Sequence, residues 1–154
     1  MSRRDEQVGR IAALIKESPV SLACAESLTA GGVASALARG ENAAGWFRGA
    51  VVAYASEVKF QVLGVAAGPV VTAACARQMA VGVAERLRAD VSVATTGVGG
   101  PDPEEGEPAG TVYIATCRDG QTHVVRHEFD GDPASVIDQT IEAALTELEA
   151  AISD

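Results

Sequence analysis

Apolar and polar positions alternate along this chain with two periods, and the switches between them mark its elements. Val8, Ile11, Leu14 and Ile15 recur at helical spacing, which predicts an amphipathic helix within MSRRDEQVGRIAALIKES. The short apolar run VSLACAE (20–26) lies between Pro19 and Gly31-Gly32 and predicts a strand. Residues 30–39 fit a second helix, broken by Gly40-Glu41-Asn42, and GAVVAYA (49–55) fits a second strand. In SEVKFQVLGV, Val58, Val62 and Leu63 return to helical spacing, with Ser56 as the cap and Gly64 as the stop. Between residues 72 and 89 the apolar set Cys75, Met79, Val83 and Leu87 recurs every four residues behind a Thr72 cap, the clearest helical pattern in the chain. DVSVATTG (90–97) predicts a third strand. TVYIATC (111–117) and THVVRHEF (122–129) flank Asp119-Gly120, a strong hairpin signal. A last helix opens at Asp132-Pro133 and presents Val136, Ile137, Ile141, Leu145, Leu148 and Ile152 on one face.

Strands separated by helices pair in parallel, whereas an Asp-Gly hairpin must be antiparallel. The expected fold is therefore α/β: a three-layer α/β/α sandwich with a mixed, mostly parallel sheet of about five strands. The length of 154 residues suits a single domain over 1–154. A hydrophobic fraction of 47% supports a packed core, and with aromatics at only 4% that core must rest on Ala, Val, Leu and Ile. So many small residues permit close packing of helix on sheet.

Charge narrows the function. A net charge of −9 argues against a nucleic-acid groove, which needs a surplus of Lys and Arg, although a local basic pocket for one phosphate stays open. Cys24, Cys75 and Cys117 show no CxxC pairing and fit small buried hydrophobes. The N-terminus carries no apolar run long enough for a signal peptide or a membrane span, so the expected location is the cytoplasm.

In open α/β sheets ligands gather outside the carboxyl ends of the strands. Two loops leave strands there. AESLTAGG places Ser27, Thr29 and a glycine pair at the start of a helix, a setting for an oxyanion or phosphate and equally for a plain helix cap. TTGVGGPDP offers Gly97, Gly99 and Gly100 for close backbone approach, with Thr95 and Thr96 adding hydroxyls; a simple connection after a buried strand fits it too. Its acidic continuation (Asp102, Glu104, Glu105, Glu107) has the composition of a solvated loop. His123 and His127, four apart on a strand, share a face without a third ligand, and no metal site is expected. Tyr54 and Lys59 follow the second strand. A serine, a tyrosine and a lysine brought to one sheet edge would form an acyl-transfer site without histidine, the neutral lysine taking the serine proton. Lys59 lies in the first turns of its helix, where the helix dipole opposes its charge.

AESLTAGG, GAVVAYASEVKFQVLGV, ADVSVATTGVGGPD, PAGTVYIA and FDGD stand in the order and spacing of the CinA C-terminal domain family, which this chain resembles from about Val20 to about Glu149. The resemblance implies the same three-layer sandwich and an amidase of pyridine-nucleotide salvage in NAD metabolism. Such an enzyme hydrolyses nicotinamide mononucleotide to the nicotinic acid form plus ammonia. It implies Ser27 as nucleophile, Lys59 as general base and Tyr54 assisting proton transfer or orienting the lysine. Thr29, Ala30, Gly31, Thr96, Gly97, Gly99 and Gly100 would line the substrate pocket. No metal or other cofactor is implied; the expected partners are a small pyridine nucleotide and further copies of the chain, with no nucleic acid and no membrane. A nucleotide-binding module with weak or lost catalysis, and a Ser–Lys amidase with a different substrate, are the alternatives.

The departures are local. Where the family usually has T-G-G, this chain has Thr29-Ala30-Gly31, and the Cβ of Ala30 opposes a positive φ. Gly99 takes a position where the family has alanine. AAGPVVT is several residues shorter than its family counterpart. The last helix has Pro133 and Ile137 where the family carries arginines, which leaves Arg48 as a base that would have to compensate if a phosphate is bound.

Overall fold

The computed structural model describes residues 2–154. Five helices and five strands follow in chain order: α1 (Arg3–Glu17), β1 (Leu22–Glu26), α2 (Gly32–Leu37), β2 (Phe47–Val52), α3 (Ser56–Leu63), α4 (Ala73–Leu87), β3 (Val91–Gly97), β4 (Thr111–Arg118), β5 (Gln121–Glu128) and α5 (Pro133–Ser153). A 3₁₀ turn, Ala43–Gly45, precedes β2. The strands form one sheet in the order β2-β1-β3-β4-β5. The β1–β2 and β1–β3 pairings are parallel, while β3–β4 and β4–β5 are antiparallel. The sheet is thus mixed as expected, but its pairings divide evenly rather than favouring parallel. The reason is that β4 returns beside β3 through the 98–110 loop without a crossover helix.

Side-chain alternation along the strands separates two cores. Leu22, Cys24, Val91, Val93, Val112 and Ile114 face α1, α2 and α5. Ala23, Ala25, Ala94, Ala115 and Cys117 face α3 and α4 through Leu63, Cys75, Ala76, Met79, Ala80 and Val83. The second face is nearly all small residues, so α4 lies close to the sheet. Gly82 carries this further: a Cβ there would collide with the carbonyl oxygen of Leu63, locking α3 against α4. All three cysteines are free and buried.

The caps expected at Thr72 and Asp132 are present, and α1 carries a further one. Ser2 and Asp5 form a reciprocal capping box on α1, Thr72 Oγ1 accepts from the Cys75 amide, and Asp132 accepts from the Ser135 amide ahead of Pro133. The α3 helix stops at Gly64, which adopts φ 72°, and Asp119 and Gly120 take positive φ in the hairpin turn.

Three boundaries differ from expectation. The second strand runs over 47–52 rather than 49–55. The register shifts between Leu22 and Ala23, skipping Arg48, and Gly49 (φ 135°) sits in that bulge rather than before the strand. The second helix begins at Gly32 because Ala30 (φ 48°) and Gly31 (φ 98°) are both left-handed; the Cβ of Ala30 does not prevent the turn. The third helix is capped by Ala55, not Ser56: the amides of Val58 and Lys59 bond the Ala55 carbonyl, leaving the Ser56 hydroxyl out of any cap. No helix among the described residues is long and apolar enough to cross a membrane.

Candidate active site

The carboxyl ends of β1 and β3 open side by side into a cleft of about 440 Å³, a size suited to a small organic ligand. Ser27 and Leu28 line it from the end of β1, Tyr54, Ser56 and Lys59 from the β2–α3 corner, and Thr96, Gly97, Gly99 and Gly100 from the end of β3. Val70, Val71, Asp102, Glu104 and Glu105, with Pro133 and Ile137 of α5, complete the lining.

Ser27 owes its position to its neighbour. Glu26 ends β1 fully buried, and its carboxylate accepts from the amides of Val33 and Ala34, each at 2.9 Å. That carboxylate does at the start of α2 what the sequence pattern assigned to Ser27 or Thr29. Freed from capping, Ser27 is 7% exposed, and its hydroxyl has no hydrogen-bond partner among the described residues. Glu26 was visible in AES, but nothing in the local pattern distinguishes a buried anchoring carboxylate from a solvated strand end.

Lys59 is the largest fully buried side chain, at 1% exposure. Its Nζ donates to the backbone carbonyl of Tyr54 at 3.2 Å. Burial lowers its pKa from the ordinary 10.5, while Cys75, Glu104 and Glu105 pull in the opposite direction. Burial likewise pushes the neighbouring Cys75 thiol up to about 11, so it stays protonated near neutrality. Ser27 and Lys59 share the cleft without a direct hydrogen bond. The Tyr54 ring is 70% exposed, so the contact that orients Lys59 comes from the tyrosine's main chain and not its hydroxyl.

The remaining expected residues fall into two groups. Thr96, Gly97, Gly99 and Gly100 line the cleft, whereas Thr29, Ala30 and Gly31 do not. Thr29 is buried with its hydroxyl 2.9 Å from that of Thr95, and Ala30-Gly31 forms the turn behind Ser27. Within the glycine loop, Gly97 is needed because a Cβ would strike Thr111 and Val112, and Gly100 takes φ 88°. Gly99 has neither constraint and nothing within 4 Å of a Cβ, leaving backbone open toward the cleft. Arg48 is not in the cleft; its guanidinium donates to the carbonyl of Leu87.

The acidic loop is less free than its composition suggests. Glu105 (φ 53°) accepts from the amides of Val70 and Val71 at 2.9 and 2.8 Å, and Thr96 Oγ1 donates to the Val70 carbonyl at 2.8 Å. Together they hold the short 66–72 segment against the cleft. Sequence spacing gave no sign of this clamp, because its partners are 34 residues apart.

A profile of the CinA C-terminal domain matches residues 5–152. The chain belongs to the CinA C-terminal domain family. It is 38% identical over 137 residues to a CinA-like protein of Citrifermentans bemidjiense, covering 84% of this chain and 33% of that protein. To Protein YdeJ of Escherichia coli (strain K12) it is 37% identical over 133 residues, covering 82% of this chain and 77% of that one. A solved CinA superfamily protein from Klebsiella pneumoniae 700603 superposes with a TM-score of 0.94 at 32% identity over 99% of both chains. The competence/damage inducible protein CihA of Agrobacterium tumefaciens gives 0.92 at 28% identity. The chain spans about a third of the length of several CinA-like relatives it matches.

Proposed function

We propose that this CinA-family domain is an amidohydrolase that uses Ser27 as nucleophile and Lys59 as general base on the carboxamide of a pyridine nucleotide. Nicotinamide mononucleotide is the substrate that the family resemblance implies. The observation carrying the reading is the convergence in one cleft of two polar side chains that ordinary packing would not bury: an unpartnered serine hydroxyl and a lysine with a lowered pKa. In the first half-reaction neutral Lys59 takes the Ser27 proton, directly or through one water, and Oγ adds to the carboxamide carbon. Leu28, the next residue, also lines the cleft, and its backbone N–H is the donor assigned to the developing oxyanion. Lys59 then passes its proton to the departing nitrogen, and ammonia leaves an ester on Ser27. In the second half-reaction Lys59 takes a proton from water as hydroxide adds to the ester carbon, then returns it to Ser27 Oγ as the ester C–O bond breaks and the acid product leaves. Tyr54 serves by holding Lys59 through its carbonyl.

Ammonia release from nicotinamide mononucleotide and related pyridinium amides tests the reading. The expected result is turnover by the wild type and none by Ser27→Ala. Absence of ammonia from every such amide, with folded protein, sinks it. A second reading, a binding module of the same fold, is favoured by one observation: Ser27 and Lys59 make no direct hydrogen bond. That module would bind a pyridine nucleotide in a calorimeter and release no ammonia.

A further inference from the structure

The cleft is chemically lopsided. Lys59 is the one basic side chain among its lining residues, against three carboxylates, Asp102, Glu104 and Glu105. Glu105 is engaged with the amides of Val70 and Val71, but Asp102 and Glu104 have no side-chain hydrogen bond or ion pair among the described residues. Pro133 and Ile137 add apolar surface to the lining. The helix starts that would otherwise attract an anion are occupied: Glu26 fills that of α2, and Asp132 with Pro133 fills that of α5. The start of α3 lacks a side-chain cap but carries Glu57 in its first turn, which offsets its field.

We propose that Asp102 and Glu104, with the apolar wall of Pro133 and Ile137, make this cleft selective for a positively charged carboxamide without a phosphate, a pyridinium riboside in preference to its 5′-phosphate. The proposal rests on the amidase reading and names its substrate class. Two physical arguments carry it. A phosphate in this cleft meets no guanidinium and two unpaired carboxylates, a like-charge encounter without compensation. It would also favour protonated Lys59, which is the form unable to act as base. A pyridinium cation has the opposite effect on both counts: it is attracted by Asp102 and Glu104 and drives Lys59 toward its neutral form. The groups facing Lys59 are Cys75 of α4, which remains a neutral thiol, and Glu104 and Glu105 of the loop. A cationic substrate thus opposes the pull of Glu104 and Glu105 toward the protonated form of Lys59.

The test compares nicotinamide riboside with nicotinamide mononucleotide. Ammonia release gives kcat/KM for the wild type, for Asp102→Asn/Glu104→Gln and for Ile137→Arg, and calorimetry on Ser27→Ala gives the two affinities without turnover. The expected wild-type preference for the riboside is about tenfold or more, narrowing as salt screens the exposed carboxylates. The double variant should lose about threefold or more of that preference. Ile137→Arg should raise the mononucleotide value about ten- to hundredfold by supplying a phosphate partner. Equal or better use of the mononucleotide by the wild type overturns the proposal. If neither compound yields ammonia, the amidase reading fails, and the calorimetric order alone decides selectivity: tighter riboside binding upholds it, while tighter mononucleotide binding or no binding overturns it.

Discussion

The floor and the rim of the cleft are built by opposite rules. On the floor, Ser27 and Lys59 are polar groups held in almost complete burial by backbone and by a neighbouring carboxylate. At the rim, Asp102 and Glu104 are exposed, and Pro133 and Ile137 are half-buried. Ser27 and Lys59, which carry the resemblance to the family, lie on the floor, whereas Pro133 and Ile137, among its expected departures, lie on the rim. Under the proposed function, this contrast assigns reaction type and substrate choice to separable parts of the structure. Floor substitutions should lower kcat for every substrate alike, whereas rim substitutions should change the ratio between substrates.

The largest expected effect is at the nucleophile. Ser27→Ala should reduce kcat by about 10³-fold or more on all amides while leaving the melting temperature nearly unchanged, since the hydroxyl has no partner to lose. A Ser27→Ala protein that retains a tenth of its activity would remove the floor from the account. Next is Lys59→Met, which should cost about 10²- to 10⁴-fold in rate. The same change should raise stability by about 1–2 kcal/mol near neutral pH, because it replaces a buried ionisable group by an apolar chain of similar length. Loss of activity with loss of stability would mean that Lys59 is a structural strut.

The pH dependence follows from the same burial. Lys59 holds its proton less tightly in the fold than in the unfolded chain, where the ordinary 10.5 applies. Between those two values the unfolded state binds more protons, so stability rises with pH across that window. Activity rises through the lowered pKa as the base form appears. Lys59→Met should abolish both slopes, read by thermal unfolding and by initial rates over the same buffers. A flat rate profile from acid to alkaline pH contradicts lysine as the base.

Smaller effects probe what supports the floor. Glu105→Ala frees two amides of the 66–72 segment and should cost about 1–2 kcal/mol of stability, with KM rising more than kcat falls. Tyr54→Phe should change kcat by less than about threefold, because the carbonyl that holds Lys59 is untouched and the ring is exposed. A hundredfold loss in Tyr54→Phe would return the phenol to the proton-transfer path.

What the sequence made legible was periodic or local. The 72–87 helix, the Asp119-Gly120 hairpin and the Asp132-Pro133 helix start each declare themselves within a few residues, and the structure has all three. Ser27 and Lys59 stood out because polar residues close apolar runs there. The unseen parts depend on tertiary geometry. Glu26 capping α2 from inside the preceding strand reverses the usual order of cap and helix. The Glu105 clamp joins segments 34 residues apart, and Tyr54 acts through an atom every residue possesses. The placement of Thr29 away from the cleft turns on which side of a left-handed turn it falls.

The most direct test of the central claim is ammonia release from nicotinamide riboside and nicotinamide mononucleotide by wild type and Ser27→Ala side by side, with folding of both verified by thermal unfolding. The account predicts turnover by the wild type and none by the variant. Silence of a folded wild type on both compounds, or equal rates in the two proteins, would contradict it.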